Sequence, residues 1–333
     1  FPFKHNQFMK QIVKIGTRDS ALALWQAKKV QALLSEREVA SSLVLIKSDG
    51  DINLTVPLYE MGVQGIFTKA LDIALLQKNI DVAVHSYKDV PTQLATGIVK
   101  AAVLKRDSYK DVLIPKAGAG LLEDALGYVN GIWQSKNNVA SAGKAEFTIA
   151  TSSIRRKAQW LHRYPNHTIT NLRGNINSRL RKLEESNWQG AIFAAAGLDR
   201  INLRPSASIE LDWMLPAPAQ GAVVSVCRAE DQWLRDIFAS LNDAHTDICT
   251  GAERDFLRAL SGGCSTPIGA LAQIDNALLH FRGRITWVDG KEKIETERTV
   301  YLNKMEGIGK EAALEILATG GDKIIESIRN GGK

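Results

Sequence analysis

The sequence predicts an α/β protein: two units of alternating strands and helices, followed by a small antiparallel α+β unit. Three observations carry this reading. Short apolar runs alternate with helix-period segments over the first stretch, the same pattern returns after residue 146, and the last ninety residues switch to period-two alternation with a hairpin signal. A length of 333 residues, with 45% hydrophobic and 23% charged residues, suits two or three soluble globular domains and excludes collagen, coiled coil and bulk disorder.

In the first unit, residues 11–15 read as a short apolar strand ending in Gly16-Thr17-Arg18. Asp19 or Ser20 then caps a helix carrying Leu22, Leu24, Trp25, Val30, Leu33 and Leu34 at helical spacing. Residues 43–46 form a second buried strand, and a helix follows around 67–77. A third strand at 81–84 runs into His85-Ser86-Tyr87-Lys88-Asp89 and is stopped by Pro91. Such alternation argues a parallel sheet with covering helices.

The second unit has a strand at 147–150, a capping turn Thr151-Ser152-Ser153, and a helix at 154–164 closed by Pro165. Residues 168–172 lead through Arg173-Gly174-Asn175 into a helix near 176–185. The next strand, 191–196, ends in Gly197-Leu198-Asp199-Arg200. Between the units, the Gly/Ala/Asn-rich stretch 115–144 reads as a mobile insertion with one short helix at 121–128. In the third unit a helix at 250–260 ends at Ser261-Gly262-Gly263-Cys264. Residues 278–288 alternate as a half-buried strand with Leu279, Phe281, Ile285 and Trp287 on one face. Asp289-Gly290 turns it into 294–302, and helices at 308–317 and 323–329 close the chain.

Charge is distributed unevenly. Residues 147–183 contain no acid, while Arg155, Arg156, Lys157, Arg163, Arg173, Arg179, Arg181 and Lys182 supply +8. The formal total is +6, so the rest of the chain carries −2. A solvated face normally mixes signs, so this window is expected to face an anion. Nucleic acid is one candidate, with Trp160 and Tyr164 as stacking aromatics, but their spacing with Leu161 reads more readily as core. In open α/β sheets ligands bind beyond the carboxyl ends of the strands. Arg18, Lys88, Arg155 with Arg156, Arg173 and Arg200 each follow a strand in this reading. Two units facing each other across a cleft would therefore line it with cations. No Gly-rich phosphate loop opens a helix, which counts against nucleotides. The planar fork of arginine suits a ligand with several carboxylates.

Among candidate chemical groups, Asp89 is the acid read at a basic strand end, either a cap or salt bridge to Lys88, or a carboxylate that pairs with a developing cation. His85 reads as structural. Cys227 and Cys249 read as packing residues, whereas Cys264, on a glycine loop, is either an accidental exposed thiol or a nucleophile or attachment point. Three cysteines without a C-x-x-C pair make neither a disulfide framework nor a zinc site, and no metal is expected. The N-terminal residues lack an apolar signal core and no stretch approaches the roughly 18 apolar residues of a membrane span, so a reducing cytoplasm is the expected home. Met9 reads as a native start, with residues 1–8 an upstream remnant.

Seven strings, in order, resemble the porphobilinogen deaminase (hydroxymethylbilane synthase) family over residues 14–329. They are the run from Ile15-Gly16-Thr17-Arg18-Asp19-Ser20 to Gln26, Val84-His85-Ser86-Tyr87-Lys88-Asp89-Val90-Pro91, Thr151-Ser152-Ser153-Ile154-Arg155-Arg156, and Leu172-Arg173-Gly174-Asn175. Ala196-Gly197-Leu198-Asp199-Arg200, Gln220-Gly221-Ala222-Val223 and Gly262-Gly263-Cys264-Ser265-Thr266-Pro267-Ile268-Gly269 complete the set.

The resemblance implies two periplasmic-binding-protein-like α/β domains plus a small α+β C-terminal domain. The divisions would be 10–108 with 221–240, then 109–220, then 241–333 carrying the cofactor cysteine. It implies a transferase of haem biosynthesis that adds four porphobilinogen units, each losing ammonia, to a dipyrromethane primer thioether-linked to Cys264. The linear hydroxymethylbilane is then hydrolysed off. Asp89 would be the catalytic carboxylate, with Lys88 beside it. Arg18, Arg155, Arg156, Arg173, Arg179 and Arg200 would hold acetate and propionate groups, with Ser20, Lys69, Ser153 and Gln220 as further contacts and Phe67 packing on the rings. A monomer that binds neither nucleic acid nor membrane is expected, passing its product to uroporphyrinogen-III synthase.

The chain departs from the family pattern at Gln64, in Gly62-Val63-Gln64-Gly65, where a lysine is customary, and at Ala150 and Ala219, where glycine is usual; stretch 115–144 is also longer. Two other readings remain: a non-catalytic anion-binding protein, with no role for Cys264, and a nucleic-acid binder whose affinity falls steeply with salt.

Overall fold

A computed structural model of the protein describes residues 12–47, 68–116, 122–135, 146–260 and 266–329. In chain order the first lobe begins with β1 (Val13–Thr17), α1 (Ala21–Ser35), β2 (Ser41–Leu45), α2 (Lys69–Leu76) and β3 (Val82–Ser86). A 3-10 turn, Tyr87–Asp89, and β4 (Ile98–Val103) follow. The second lobe holds β5 (Asp111–Pro115), α3 (Leu122–Leu126), the small hairpin β6 (Tyr128–Val129) and β7 (Ile132–Trp133), then β8 (Thr148–Ala150). It continues through α4 (Ile154–Arg163), β9 (Thr168–Thr170), α5 (Ile176–Glu185), β10 (Gly190–Ala194), α6 (Ala195–Arg200) and β11 (Ile209–Glu210). The chain then returns through β12 (Val223–Arg228) and α7 (Gln232–Ala239). It ends with α8 (Ala244–Ala259), β13 (Ile268–Asp275), β14 (Leu278–Thr286), β15 (Lys293–Tyr301), α9 (Ile308–Ile316) and α10 (Asp322–Arg329).

The first sheet has the order β2-β1-β3-β12-β4, and the second β11-β5-β10-β8-β9. Neither is wholly parallel, which corrects the sequence reading. β12 runs antiparallel between β3 and β4, and β5 runs antiparallel beside β10. Both strands arrive by crossing between lobes, and their direction is set by where the chain re-enters, a property that periodicity along a strand does not encode. Apolar clusters cover both faces of each sheet, so strands such as β12 are buried at every position. The third unit packs α8 and α9 on one face of the β13-β14-β15 sheet, with Phe256 edge-on to Phe281 at 5.4 Å.

The two connecting segments lie against each other. Gly221 (φ +87°) is close to Ser108, where a Cβ would lie 2.6 Å from the Ser108 carbonyl oxygen, so only glycine serves there. Arg106 donates from Nε to the Gln220 carbonyl (2.8 Å) and bidentately to Glu253 of α8 (2.6 and 3.1 Å). The fully buried Glu253 also accepts from the amides of Ala219 (2.6 Å) and Ala272 (2.8 Å). One carboxylate thus ties both crossings to the third unit. Its neighbour Ala219, a position where the resemblance leads one to expect glycine, adopts φ +62°.

The inserted stretch is not wholly loose. Residues 122–135 form α3 and the β6–β7 hairpin, with Leu122 and Leu126 buried, and Trp133 Nε1 donating to the Glu210 carbonyl (2.6 Å). Tyr164 Oη donates to the Leu126 carbonyl (2.6 Å), which ties the insertion to α4. Apolar and aromatic side chains outweigh the local Gly and Asn content here.

Candidate active site

Strand ends and helix starts converge on one space between the lobes. Ser20, Ser153 and Asn175 cap α1, α4 and α5, accepting from the amides of Ala23 (3.3 Å), Arg156 (3.4 Å) and Ser178 (2.9 Å). All three caps line a single cavity of about 470 Å³. Three helix N-termini therefore direct their partial positive charge at it. Its lining adds Arg18, Lys88, Arg155, Arg156, Arg173, Arg179 and Arg200, against only Asp19 and Asp89. Asp89 and Lys88 sit on the 3-10 turn that ends β3, both half-buried.

The sequence reading missed a second acid at this edge. Asp111 opens β5, pairs in register with Ala194, and is fully buried. Because β5 is antiparallel, its first residue lies at the carboxyl end of the parallel strands. Asp111 Oδ1 accepts from Arg156 Nε (3.0 Å) and Nη2 (2.8 Å) and from Gln220 Nε2 (3.0 Å), and Oδ2 accepts from Arg155 Nη1 (2.8 Å). Burial opposes its charge, but Arg155 and Arg156 hold its carboxyl well below the usual carboxylate range. Arg155 and Arg156 also donate to the carbonyls of Leu215 (2.8 Å) and Ile192 (3.0 Å). Both guanidiniums are thus oriented before any ligand arrives.

The remaining cations are held differently. Lys88 Nζ donates to Gln220 Oε1 (3.2 Å); burial and then Arg156 push its pKa down to about 8, partly offset by Asp89 and Asp111. Arg179 Nε donates to the Gly174 carbonyl (2.7 Å). Burial, then Arg156 and Arg173, lower its pKa to about 10, with Asp89 opposing. Arg200 does not follow its strand directly as expected: β10 stops at Ala194 and Arg200 ends α6. From there it donates to Asp107 Oδ2 (2.8 Å) and the Gly221 carbonyl (2.7 Å), and its guanidinium lies 5.4 Å from the Trp25 ring centre.

Several expected residues fall elsewhere. Lys69 is exposed at the start of α2 and is not among the lining residues. Arg163 leaves the basic window for an aromatic box, 5.2–5.6 Å from the rings of Trp133, Tyr164 and Trp213. Arg181 pairs with Glu185 on the surface, and Lys182 donates to the Arg173 carbonyl. Trp160 and Tyr164 are buried core, so neither is available to stack on nucleic acid bases. His85 is buried beside Arg18 and neutral, its pKa pushed down to about 3 by burial first. Cys227 and Cys249 are buried packing residues. Cys264, Phe67 and Gln64 lie outside the described residues. No helix among the described residues is long and apolar enough to cross a membrane, and no group of three metal-ligating side chains occurs among them.

The donor set suits a polycarboxylate such as a dipyrromethane with its acetate and propionate groups. Cations outnumber acids seven to two in the lining, and the buried Nε of Arg155 has no hydrogen-bond partner among the described residues. The cavity volume also falls in the ordinary range of small-molecule sites, about 300–1,000 Å³.

A family model described as porphobilinogen deaminase, dipyromethane cofactor binding domain, matches residues 13–236. A second, porphobilinogen deaminase, C-terminal domain, matches residues 248–318. The porphobilinogen deaminase of Desulforamulus reducens is 38% identical over 327 residues, covering 97% of this chain and all of that one. The chloroplastic porphobilinogen deaminase of Oryza sativa subsp. japonica is 38% identical over 329 residues, covering 96% of this chain and 87% of its own. Among solved structures, the probable amino-acid ABC transporter extracellular-binding protein ytmK from Bacillus subtilis aligns with a TM-score of 0.40 at 10% identity, over 69% of this chain and 90% of its own.

Proposed function

The chain belongs to the porphobilinogen deaminase family, and we propose that the cavity between its lobes is where porphobilinogen units are condensed. The enzyme is a hydroxymethylbilane synthase, a transferase of tetrapyrrole biosynthesis whose cofactor is dipyrromethane. When bound, that group supplies the nucleophilic pyrrole α-carbon on which the chain is built. Each of four porphobilinogen molecules loses ammonia as its C–N bond breaks; a C–C bond to the chain end forms and a ring proton leaves. Water finally releases hydroxymethylbilane.

The protein's part is mostly electrostatic. Arg18, Arg155, Arg156, Arg173, Arg179 and Arg200 bind acetate and propionate groups, aided by the capping hydroxyls and amides at Ser20 and Ser153. Charge-assisted bonds of this kind are worth about 1.5–3 kcal/mol each. Asp89 accepts from pyrrole N–H groups and offsets the positive charge that develops as ammonia departs. Lys88, oriented by Gln220, counters the substrate carboxylates beside Asp89. Lys69 and Phe67 contact the longer chain, and Cys264 carries the thioether. The observation that carries this reading is the convergence of seven cations and three helix N-termini on one cavity whose lining also holds Asp89.

Sheet membership supports a division into 10–108 with 221–240, 109–220, and 241–333. A cytoplasmic monomer that hands its product to uroporphyrinogen-III synthase completes the proposal. Intact-mass spectrometry of the purified chain tests the attachment: an excess equal to two condensed pyrrole units is expected, and it disappears in Cys264→Ser. Retention of that excess by Cys264→Ser would overturn the assignment. Asp89→Asn is expected to keep the primer but lose most turnover; wild-type speed would remove Asp89 from its role.

A further inference from the structure

The turn bearing Lys88 and Asp89 is short and weakly self-supported. It comprises three residues, closes on itself through Val90 N–H to the Tyr87 carbonyl (3.2 Å), and is followed by Pro91, which has no amide hydrogen to donate. Its front lines the cavity, and its back is held by the third unit. Arg254 of α8, only 5% exposed, donates from Nη1 to the carbonyls of Tyr87 (3.2 Å) and Val90 (2.9 Å) and from Nη2 to that of Pro91 (2.6 Å). Its guanidinium carbon lies 4.3 Å from the centre of the Tyr87 ring. One helical turn further along, Arg258 Nη2 donates to the Thr92 carbonyl (2.9 Å). One face of α8 therefore grips the backbone on both sides of Lys88-Asp89, and neither Arg254 nor Arg258 lines the cavity where the cations converge.

We propose that Arg254 is a positioning residue for the condensation, fixing the Lys88–Asp89 turn from behind so that the Asp89 carboxylate meets the reacting pyrrole in register. The proposal rests on the reading of Asp89 given above. Two separate nitrogens of one planar fork serve the three carbonyls, Nη1 two of them and Nη2 the third, an arrangement that the single nitrogen of a lysine does not reproduce. Small misplacements matter, since about 1 Å at a reacting group costs on the order of 100-fold in rate. The arrangement also links two distant segments: α8 leads, within five residues of its last helical residue, to the Cys264 proposed to carry the primer.

Behind the turn lies a second cavity of about 260 Å³, lined in part by Tyr87, Val90, Thr92, Gly251, Arg254 and Arg258. It gives a small cation a route to the place an arginine would vacate, which permits chemical rescue. The experiment uses the primer-loaded enzyme, with loading checked by intact mass. In Arg254→Ala, kcat is expected to fall about 100-fold with a much smaller rise in KM, because the carboxylate-binding arginines are untouched and only Lys88 shifts with the turn. Guanidinium at millimolar concentration restores kcat saturably, and urea does not. Arg254→Lys, which keeps charge and bulk, is expected to fold and still lose kcat. It carries the kinetic test should the alanine variant fail to fold. Hydrogen exchange at Val90 should be faster in Arg254→Lys with or without primer. In an Asp89→Asn background, Arg254→Lys should lower kcat further by less than about threefold, because the two act as one unit.

Wild-type kcat in Arg254→Lys, a change confined to KM, or a full multiplicative loss on top of Asp89→Asn would each overturn the proposal. The two readings fail separately. A wild-type rate in Asp89→Asn alone removes the role of Asp89. A slow Asp89→Asn with a wild-type Arg254→Lys removes only the positioning.

Discussion

Two arginine pairs in the same lobe face the same cavity and are built on opposite principles. Arg155 and Arg156, on the first turn of α4, are buried and share the carboxylate of Asp111. Arg173 and Arg179 flank the start of α5. Arg179 is bonded to a backbone carbonyl and destabilised in its charged form by burial and by its cationic neighbours. Asp111 offsets one of the two charges of the first pair as the protein folds, whereas the acid acting on Arg179 is Asp89, through space. Residue type alone does not separate these roles. A buried acid supplied from a distant strand does.

The sharpest way to break this contrast is to remove the shared acid. Asp111→Asn leaves two buried guanidiniums without their counter-ion and is expected to cost about 3–5 kcal/mol in denaturant unfolding. A loss below about 1 kcal/mol would mean that the pair does not depend on Asp111. Arg179→Met should do the reverse. It relieves like-charge repulsion, so unfolding stability should hold or rise. Meanwhile KM for porphobilinogen should increase about 10–100-fold, as expected for one charge-assisted bond of about 1.5–3 kcal/mol. Destabilisation without a KM change would make Arg179 a residue of the fold and not of the binding site.

Lys88 lies between the two classes, and pH separates its contributions. Its folded pKa of about 8 is below its ordinary 10.5, so the unfolded chain binds more protons between those values and stability rises with pH across that window. Lys88→Met should abolish this rise. In the wild type, substrate affinity should weaken as pH climbs through about 8, because the ammonium is lost just where carboxylates bind. His167 provides a contrast remote from the cavity. It is buried, its Nδ1 accepts from Trp160 Nε1 (3.2 Å), and burial lowers its pKa from 6.5 to about 4. The stability it contributes above pH 6.5 is lost as pH falls through that interval, and His167→Gln should flatten thermal unfolding profiles there. The smallest effect is expected at Ala219, whose φ of +62° favours glycine. Ala219→Gly should be stabilising by up to about 1 kcal/mol, measured by denaturant midpoint, with the Glu253 contact to its amide kept.

Much of the local structure was legible beforehand. Ser20 and Ser153 were readable as caps because capping acts over three residues, and the strands read from apolar runs begin and end within about two residues of those runs, whereas β4, β5 and β13 were not read as strands. The cations gathered at strand ends were legible for the same reason. Arg200 was misplaced because Ala195 and Ala196 extend the apolar run of β10 without belonging to it; Ala194–Ala196 suits a helix start as well as a strand end. Asp111, Glu253 and Arg254 gave no signal. Each meets partners between 34 and 167 residues away in sequence, apart from the closer Ala272 contact of Glu253.

What the amino-acid order determined by itself is therefore short-ranged: which segments are strands or helices, where helices start, and which residue types could carry chemistry. Tertiary structure alone decided which cations share a buried acid and how the Lys88–Asp89 turn is held, because that depends on β5 and β12 entering their sheets antiparallel and on α8 closing behind the turn. Backbone preference and side-chain periodicity act over a few residues. Electrostatic energy depends on distance through space, and folding sets that distance.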